Sequence, residues 1–247
     1  MWQFPCVPIR SSHAETSTVP QGKCHRPNHL QCFFEDQELP TPSVQVMHTK
    51  ESPGTLHLWE IFSGSAHLSE TAIGSGLRVL QPLDLKDGFD ILDDSHFRAL
   101  VSGLKTHLPL LVWMAPPCTC WCPLQRLMAK PDGLRKKLLE GREIMRRVAQ
   151  VAELCVKLKL HFAVENPSCS RAWKESDLST LSQQPYAWQA RFDQCQFGLV
   201  DPFTDEPIRK RTVVLTNSSG LFFLTRLFFQ RVRLPYPQLC LTLLFLW

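Results

Sequence analysis

The sequence predicts an α/β fold, a mostly parallel sheet with helices on both faces. Three observations predict it. Short apolar runs near residues 56–62, 108–115 and 161–164 read as buried strands. Segments of helical period separate them, most clearly Ile144, Val148, Val151, Cys155 and Leu158, which step by four, three, four and three. Polar residues then fall directly after strands, at Ser63-Gly64, Asp84, Cys118 and Glu165. In open α/β sheets the carboxyl ends of strands are where ligands bind.

The elements follow in order. Residues 1–53, rich in Pro, Ser, Thr, His and Gln, read as a mostly disordered leader. Its Cys24, His25, His29 and Cys32 lack a second pair at zinc-site spacing, so no metal site is assigned. From Thr55 the pattern changes to a strand over 56–62, a tight turn at Ser63-Gly64-Ser65, and a helix with Leu68, Ala72 and Ile73 inward. Gly74 and Gly76 end that helix. A second strand covers 77–80, and a short third one is expected near Phe89-Asp90-Ile91. Asp94 is the expected cap of a helix through Phe97, Leu100, Val101 and Leu104. The apolar run 108–115 is the expected central strand; a later strand covers 212–216. Residues 54–220 thus form the expected catalytic domain, followed by an apolar tail over 221–247.

Composition narrows the class. The chain has 247 residues, 44% apolar and 20% charged, as in globular proteins. No run approaches the ~18 apolar residues of a membrane span, so no membrane partner is expected. Ten cysteines, three of them crowded as Cys118, Cys120 and Cys122, make a poor disulfide framework. Free thiols and an intracellular, reducing compartment follow as the expectation. A reading of Cys118, Cys120, Cys122 and Cys169 as metal ligands stands as a weaker alternative.

Chemistry gathers at the strand ends. A small-residue turn at a helix N-terminus lets a cofactor approach the backbone, and Gly64 has no Cβ to obstruct it. Asp84 can accept from ribose hydroxyls, and Asp90 from an adenine amino group. Pro116-Pro117 fixes a rigid ledge that projects Cys118, a candidate nucleophile whose thiolate a basic setting favours. Residues 126–147 supply such a setting. Eight basic against three acidic residues give +5, more than the whole chain's +4. A phosphate backbone passing there is attracted. Pro131-Asp132-Gly133 suggests a mobile loop ahead of the long helix. Glu165 lies on the same rim as Cys118 and, partly buried, can hold a proton near neutral pH.

Taken in order, these motifs resemble those of the cytosine-5 DNA methyltransferases over residues 55–216. Glu60-Ile61-Phe62-Ser63-Gly64 resembles the family's cofactor turn, Asp84 its ribose-binding acid, and Asp90-Ile91 its adenine-contacting pair. Pro116-Pro117-Cys118-Thr119-Cys120-Trp121-Cys122 resembles its nucleophile loop, Glu165-Asn166-Pro167 its Glu-Asn-Val, and Arg209-Lys210-Arg211 its Arg-x-Arg. Ala66 and His67, Thr119 and Pro167 depart from the pattern, and the target-recognition region is not recognisable, so the resemblance is to a truncated or divergent member.

The resemblance implies a Rossmann-like methyltransferase fold, with S-adenosylmethionine held by Phe62, Ser63, Gly64, Asp84, Asp90 and Pro116. It implies a cytosine flipped into the pocket, attack of Cys118 on C6, engagement of N3 by Glu165, and methylation at C5. Arg211 and Arg209 are implied to hold the base and the thiolate region. DNA is the implied partner, with RNA left open, and the DNA partner implies a nuclear location. The alternative is a catalytically inactive relative that keeps the scaffold as a nucleic-acid-binding or interaction module.

Overall fold

A computed structural model describes residues 46–47, 55–122, 125 and 131–222, all within one compact unit, Thr41–Trp247. The expected features at Cys24, His25, His29 and Cys32, at Arg126 and Lys130, and in residues 223–247 lie outside the described residues.

Seven strands form one sheet in the order β1-β3-β2-β4-β5-β7-β6. They are β1 (Val46–Met47), β2 (Leu58–Ile61), β3 (Val79–Leu80), β4 (Leu111–Met114), β5 (His161–Pro167), β6 (Trp188–Asp193) and β7 (Arg211–Thr216). Strands β3, β2, β4 and β5 pair in parallel. β7 runs antiparallel between β5 and β6, and β1 is antiparallel to β3. The class is therefore α/β with a mixed sheet in which five of the seven strands point the same way.

The helices are α1 (His67–Gly74), α2 (Asp94–His107), α3 (Pro131–Lys157) and α4 (Ser176–Ser182). Ala72 of α1 joins Leu58, Val79, Leu111, Ala163 and Val214 in one cluster, with Leu68 and Ile73 packed against it. The alternate residues Trp59, Ile61, Val112, Met114, Phe162, Val164 and Leu215 are also buried, so the sheet is covered on both faces. At roughly 25 cal/mol per Å² of apolar surface, these β-branched, aromatic and long side chains dominate the stability. On α3 the buried stripe runs through Met145, Val148, Val151, Ala152 and Cys155, whereas Ile144 and Leu158 are only half-buried.

Several expectations are corrected. Val46 and Met47, inside the segment expected to be a disordered leader, pair with Leu80 and Val79 and cover the open edge of β3. Phe89-Asp90-Ile91 is a loop, not a strand, because β1 takes that edge and the Asp90 carboxylate closes a turn by accepting from the Leu92 N–H at 2.8 Å. Asp93, not Asp94, caps α2, accepting from the backbone N–H groups of Ser95 and His96. Pro131-Asp132-Gly133 is helical rather than a loop; Pro131 suits a first turn, where its missing N–H is not needed.

The order of connections places a switch point. From β2 the chain crosses through α1 to β3 on one side. From β3 it crosses through α2 to β4 on the other side of β2. In open α/β sheets of this order, a crevice is expected at the carboxyl ends of β2 and β4. Ile61, Met114 and Val164 share the last common row of register. Two residues further along the three chains stand Ser63, Pro116 and Asn166.

Candidate functional site

The turn after β2 is shaped by backbone geometry. Phe62, Gly64 and Ala66 all take positive φ, at 60°, 54° and 59°. Such angles cost energy for residues with a Cβ and persist only when neighbours fix them. Here the N–H groups of Phe62 and Ser63 both donate to the Leu83 carbonyl, at 2.8 and 3.2 Å, and Ala66 N–H donates to Ser63 O at 2.8 Å. Beneath the turn, buried Glu60 reaches from β2 to the start of α1, accepting from Ser69 N–H at 3.0 Å and Ser69 Oγ at 2.6 Å. Burial pushes the Glu60 carboxyl above its ordinary range, while the Ser69 bonds oppose that shift.

Asp84, twenty residues away in sequence, closes on this turn. Its Oδ2 accepts from Gly64 N–H at 2.8 Å and its Oδ1 from Lys86 N–H at 3.1 Å. Each oxygen keeps a second lone pair for another donor. The turn also keeps unfilled capacity. Ser63 Oγ is buried and, among the described residues, has no hydrogen-bond partner. A Cβ built on Gly64 meets nothing within 4 Å, so the backbone there is open to a ligand.

Next to β2, β4 ends in the proline ledge. Asn166, 1% exposed on β5, donates from Nδ2 to the Pro116 carbonyl at 2.9 Å. That bond ties the ledge to the neighbouring strand. The Asn166 Oδ1 is, like Ser63 Oγ, buried without a partner among the described residues. Cys118 then starts a single 3-10 turn, Thr119–Trp121, whose indole is buried against Gly141 of α3. A small cleft of about 130 Å³ between this turn and α3 is lined by Cys120, Cys122, Leu138 and Arg142 but by none of Gly64, Asp84 and Glu165, so it belongs to that packing rather than to the strand ends.

Cys118 is half-buried, and that burial is the main influence on its thiol, pushing it up; the Lys210 ammonium pulls it down, while Glu165 and Cys122 push it up further. The expectation of a net basic setting that favours thiolate is therefore reversed. Cys155, fully buried in α3, is pushed up to about 12 and is an inert core thiol. Glu165 is the other titratable group of this rim. Burial raises its carboxyl, and Lys210 offsets part of the rise. Gln194 donates to Glu165 Oε1 at 3.3 Å, and Lys210 Nζ stands 4.0 Å from the same oxygen.

The site thus joins Gly64 with Asp84 and Pro116 with Asn166 by hydrogen bonds, and Glu165 acts on the Cys118 thiol through its charge. The arginines expected there are not brought in. Arg209 and Arg211 both turn to Asp193, at 3.0 and 3.6 Å, and the cation beside Glu165 is the residue between them. Asp90 sits on a separate loop. Arg147, buried in α3, holds that loop by donating to the carbonyls of Ile91 and Asp93, at 2.8 and 3.2 Å, and by pairing with Asp94.

No protein-family model and no curated protein matches this chain.

Among the described residues of the basic segment, four of six cations are in ion pairs. Arg142 pairs with Glu175, Arg146 and Arg147 with Glu143, and Lys136 with Glu140. Arg135 and Lys137 remain exposed to solvent. Among the described residues no group of three His, Cys, Asp or Glu side chains is placed to hold a metal ion. Among the same residues no helix is long and apolar enough to cross a membrane. Glu60, Asn166, Gln194, Lys210 and Arg147 hold the turn, the ledge, the Glu165 carboxyl and the Asp90 loop, and sequence reasoning left them without individual roles. Glu60 carried a signal, an acid inside an otherwise apolar strand; Gln194 and Arg147 carried none.

Proposed function

We propose that residues 54–220 are a Rossmann-like, S-adenosylmethionine-dependent methyltransferase domain of the cytosine-5 type, acting on DNA, with RNA open as a substrate. The observation that carries this reading is the common rim. Three adjacent strands present an open glycine turn with its Asp84 partner, a thiol on a clamped proline ledge, and a carboxyl that burial raises above its ordinary range.

The residues fit the cofactor. The unpartnered Ser63 Oγ and the open face of Gly64 offer one hydrogen-bonding group and one close backbone approach. The remaining lone pairs of Asp84 suit ribose hydroxyls, Asp90 suits an amino group, and Phe62 and Pro116 supply apolar walls. When bound there, S-adenosylmethionine supplies an electrophilic methyl group. Cys118, once deprotonated, forms a bond from sulfur to C6 of an extruded cytosine. Glu165, holding its proton, donates it to N3 and so accepts the charge that builds on the ring. Once C5 has gained the methyl group and S-adenosylhomocysteine is left, water takes the C5 proton, the electron pair restores the C5–C6 double bond and expels the Cys118 thiolate, and the N3 proton returns to Glu165.

A second reading keeps the scaffold without the chemistry, as a nucleic-acid-binding or interaction module. It draws support from the raised Cys118 thiol. Titration calorimetry with the cofactor, paired with tritium transfer from labelled cofactor to cytosine-containing DNA and RNA, separates the two. Cofactor binding with transfer supports the enzyme; salt-sensitive nucleic-acid binding with no transfer supports the module.

A further inference from the structure

Arg211 opens β7 paired with Asp193 of β6, and the carbonyl of Lys210 just before it accepts from Gln194 N–H at 2.9 Å. Arg209 and Arg211 share one partner, the Asp193 carboxylate at the end of β6. Lys210 has its Nζ 4.0 Å from Glu165 Oε1 and within electrostatic reach of the Cys118 sulfur. Gln194 completes the arrangement, donating from one Nε2 to Glu165 Oε1 at 3.3 Å and to Thr212 Oγ1 at 3.0 Å. One ammonium thus stands against the carboxyl and pulls electrostatically on the thiol, while the two guanidiniums pair with Asp193.

We propose that Lys210, and neither Arg209 nor Arg211, is the positioning cation of the reactive pair, holding the Glu165 carboxyl with Gln194 and stabilising Cys118 as thiolate. The inference rests on Cys118 and Glu165 being that pair. The charged and titratable groups facing Cys118 are Glu165 from β5, Lys210 from the approach to β7, and Cys120 and Cys122 from its own turn. Of these Lys210 alone favours the thiolate. A point charge on a flexible stem also suits a site where the negative charge must move between sulfur, carboxylate and base.

The test is the pH profile of Cys118 alkylation by iodoacetamide in the full chain, resolved from Cys120 and Cys122 by fragment mass spectrometry, with exposed Cys169 as internal reference. Lys210→Met is expected to slow alkylation of Cys118 at pH 8 by roughly 3- to 10-fold and to move the profile to higher pH, as loss of one nearby cation does. Lys210→Arg restores most of the rate. Arg209→Met and Arg211→Met leave the profile in place. Lys210 is half-exposed, so these variants are expected to keep the parent circular dichroism spectrum. An unmoved profile in Lys210→Met, or an equal shift in Arg209→Met or Arg211→Met, overturns the assignment. The readout involves neither cofactor nor methyl transfer. A parent chain that transfers no methyl but shows the Lys210-dependent profile loses the methyltransferase reading and keeps this one.

Discussion

Replacing Asn166 by aspartate separates a buried clamp from an incidental contact. Asn166→Asp removes the amide donor to the Pro116 carbonyl, at a position 1% exposed. Only the protonated acid can donate to that carbonyl; the carboxylate would face it, buried and repelled. The folded-state pKa at 166 therefore rises above the unfolded value of about 3.9. Folding then favours the protonated form, so stability falls as pH rises past about 4. The slope is up to about 1.4 kcal/mol per pH unit, giving at most about 4 kcal/mol by pH 7. Asn166→Ala provides the contrast. It strands the Pro116 carbonyl, at about 1–3 kcal/mol, but also removes Oδ1, whose unpartnered burial is already unfavourable by a similar amount. Its net cost is about 1 kcal/mol and does not change with pH. Urea unfolding followed by tryptophan fluorescence, from pH 4 to 7, measures both. Parallel, flat losses in the two variants would show that position 166 reaches water and that the ledge behind Cys118 is not clamped from a buried position.

Three further predictions follow from the same geometry. Ser63→Ala removes a buried hydroxyl that no described residue satisfies, so chemical denaturation should show no loss, or a gain of up to about 1 kcal/mol; calorimetry should show about tenfold weaker cofactor binding, as for one lost hydrogen bond. Gly141→Ala would normally help an interior helix position by about 1 kcal/mol. Here its Cβ would lie 2.7 Å from Cys120 Sγ and 3.0 Å from Trp121 Cζ2, so overpacking of about 1–3 kcal/mol wins and the thermal midpoint drops. Arg147→Met leaves two carbonyls without their donor and loses the cation–π contact with Phe97 at 4.9 Å. Because Asp94 and Glu143 stay in contact with water, the loss should be about 2–3 kcal/mol rather than the larger cost of an isolated buried charge, and hydrogen exchange should rise first at residues 90–94.

What the sequence made legible was local. β4 and β5 are apolar runs that end in Pro116-Pro117-Cys118 and Glu165-Asn166-Pro167, and a buried strand followed by a polar end needs no distant information. The α3 stripe and the β2 turn were visible for the same reason, as period and punctuation. β6 was missed although Trp188-Gln189-Ala190-Arg191-Phe192 contains a weak alternation, with Ala190 inward and buried. The charged Arg191 and polar Gln189 diluted it. The positions of cations were not legible at all. Arg147 reads as surface charge until Asp94 and two carbonyls from a loop some fifty residues earlier meet it. The choice between Arg209, Lys210 and Arg211 depends on how β7 enters the sheet beside Asp193 and Glu165, a matter of strand phase. The direction of the Cys118 shift was not legible either, since it is set first by how deeply the thiol is buried, which a count of nearby basic residues does not show.

Covalent capture tests the central claim most directly. The full chain is incubated with S-adenosylmethionine and a 5-fluorocytosine oligonucleotide, whose C5 fluorine blocks the elimination that frees the thiol. The predicted result is a denaturation-resistant adduct that maps to Cys118, forms only with cofactor present, and is absent from Cys118→Ala. An adduct of equal yield in Cys118→Ala, or no adduct in a parent chain that binds both cofactor and oligonucleotide, would contradict it.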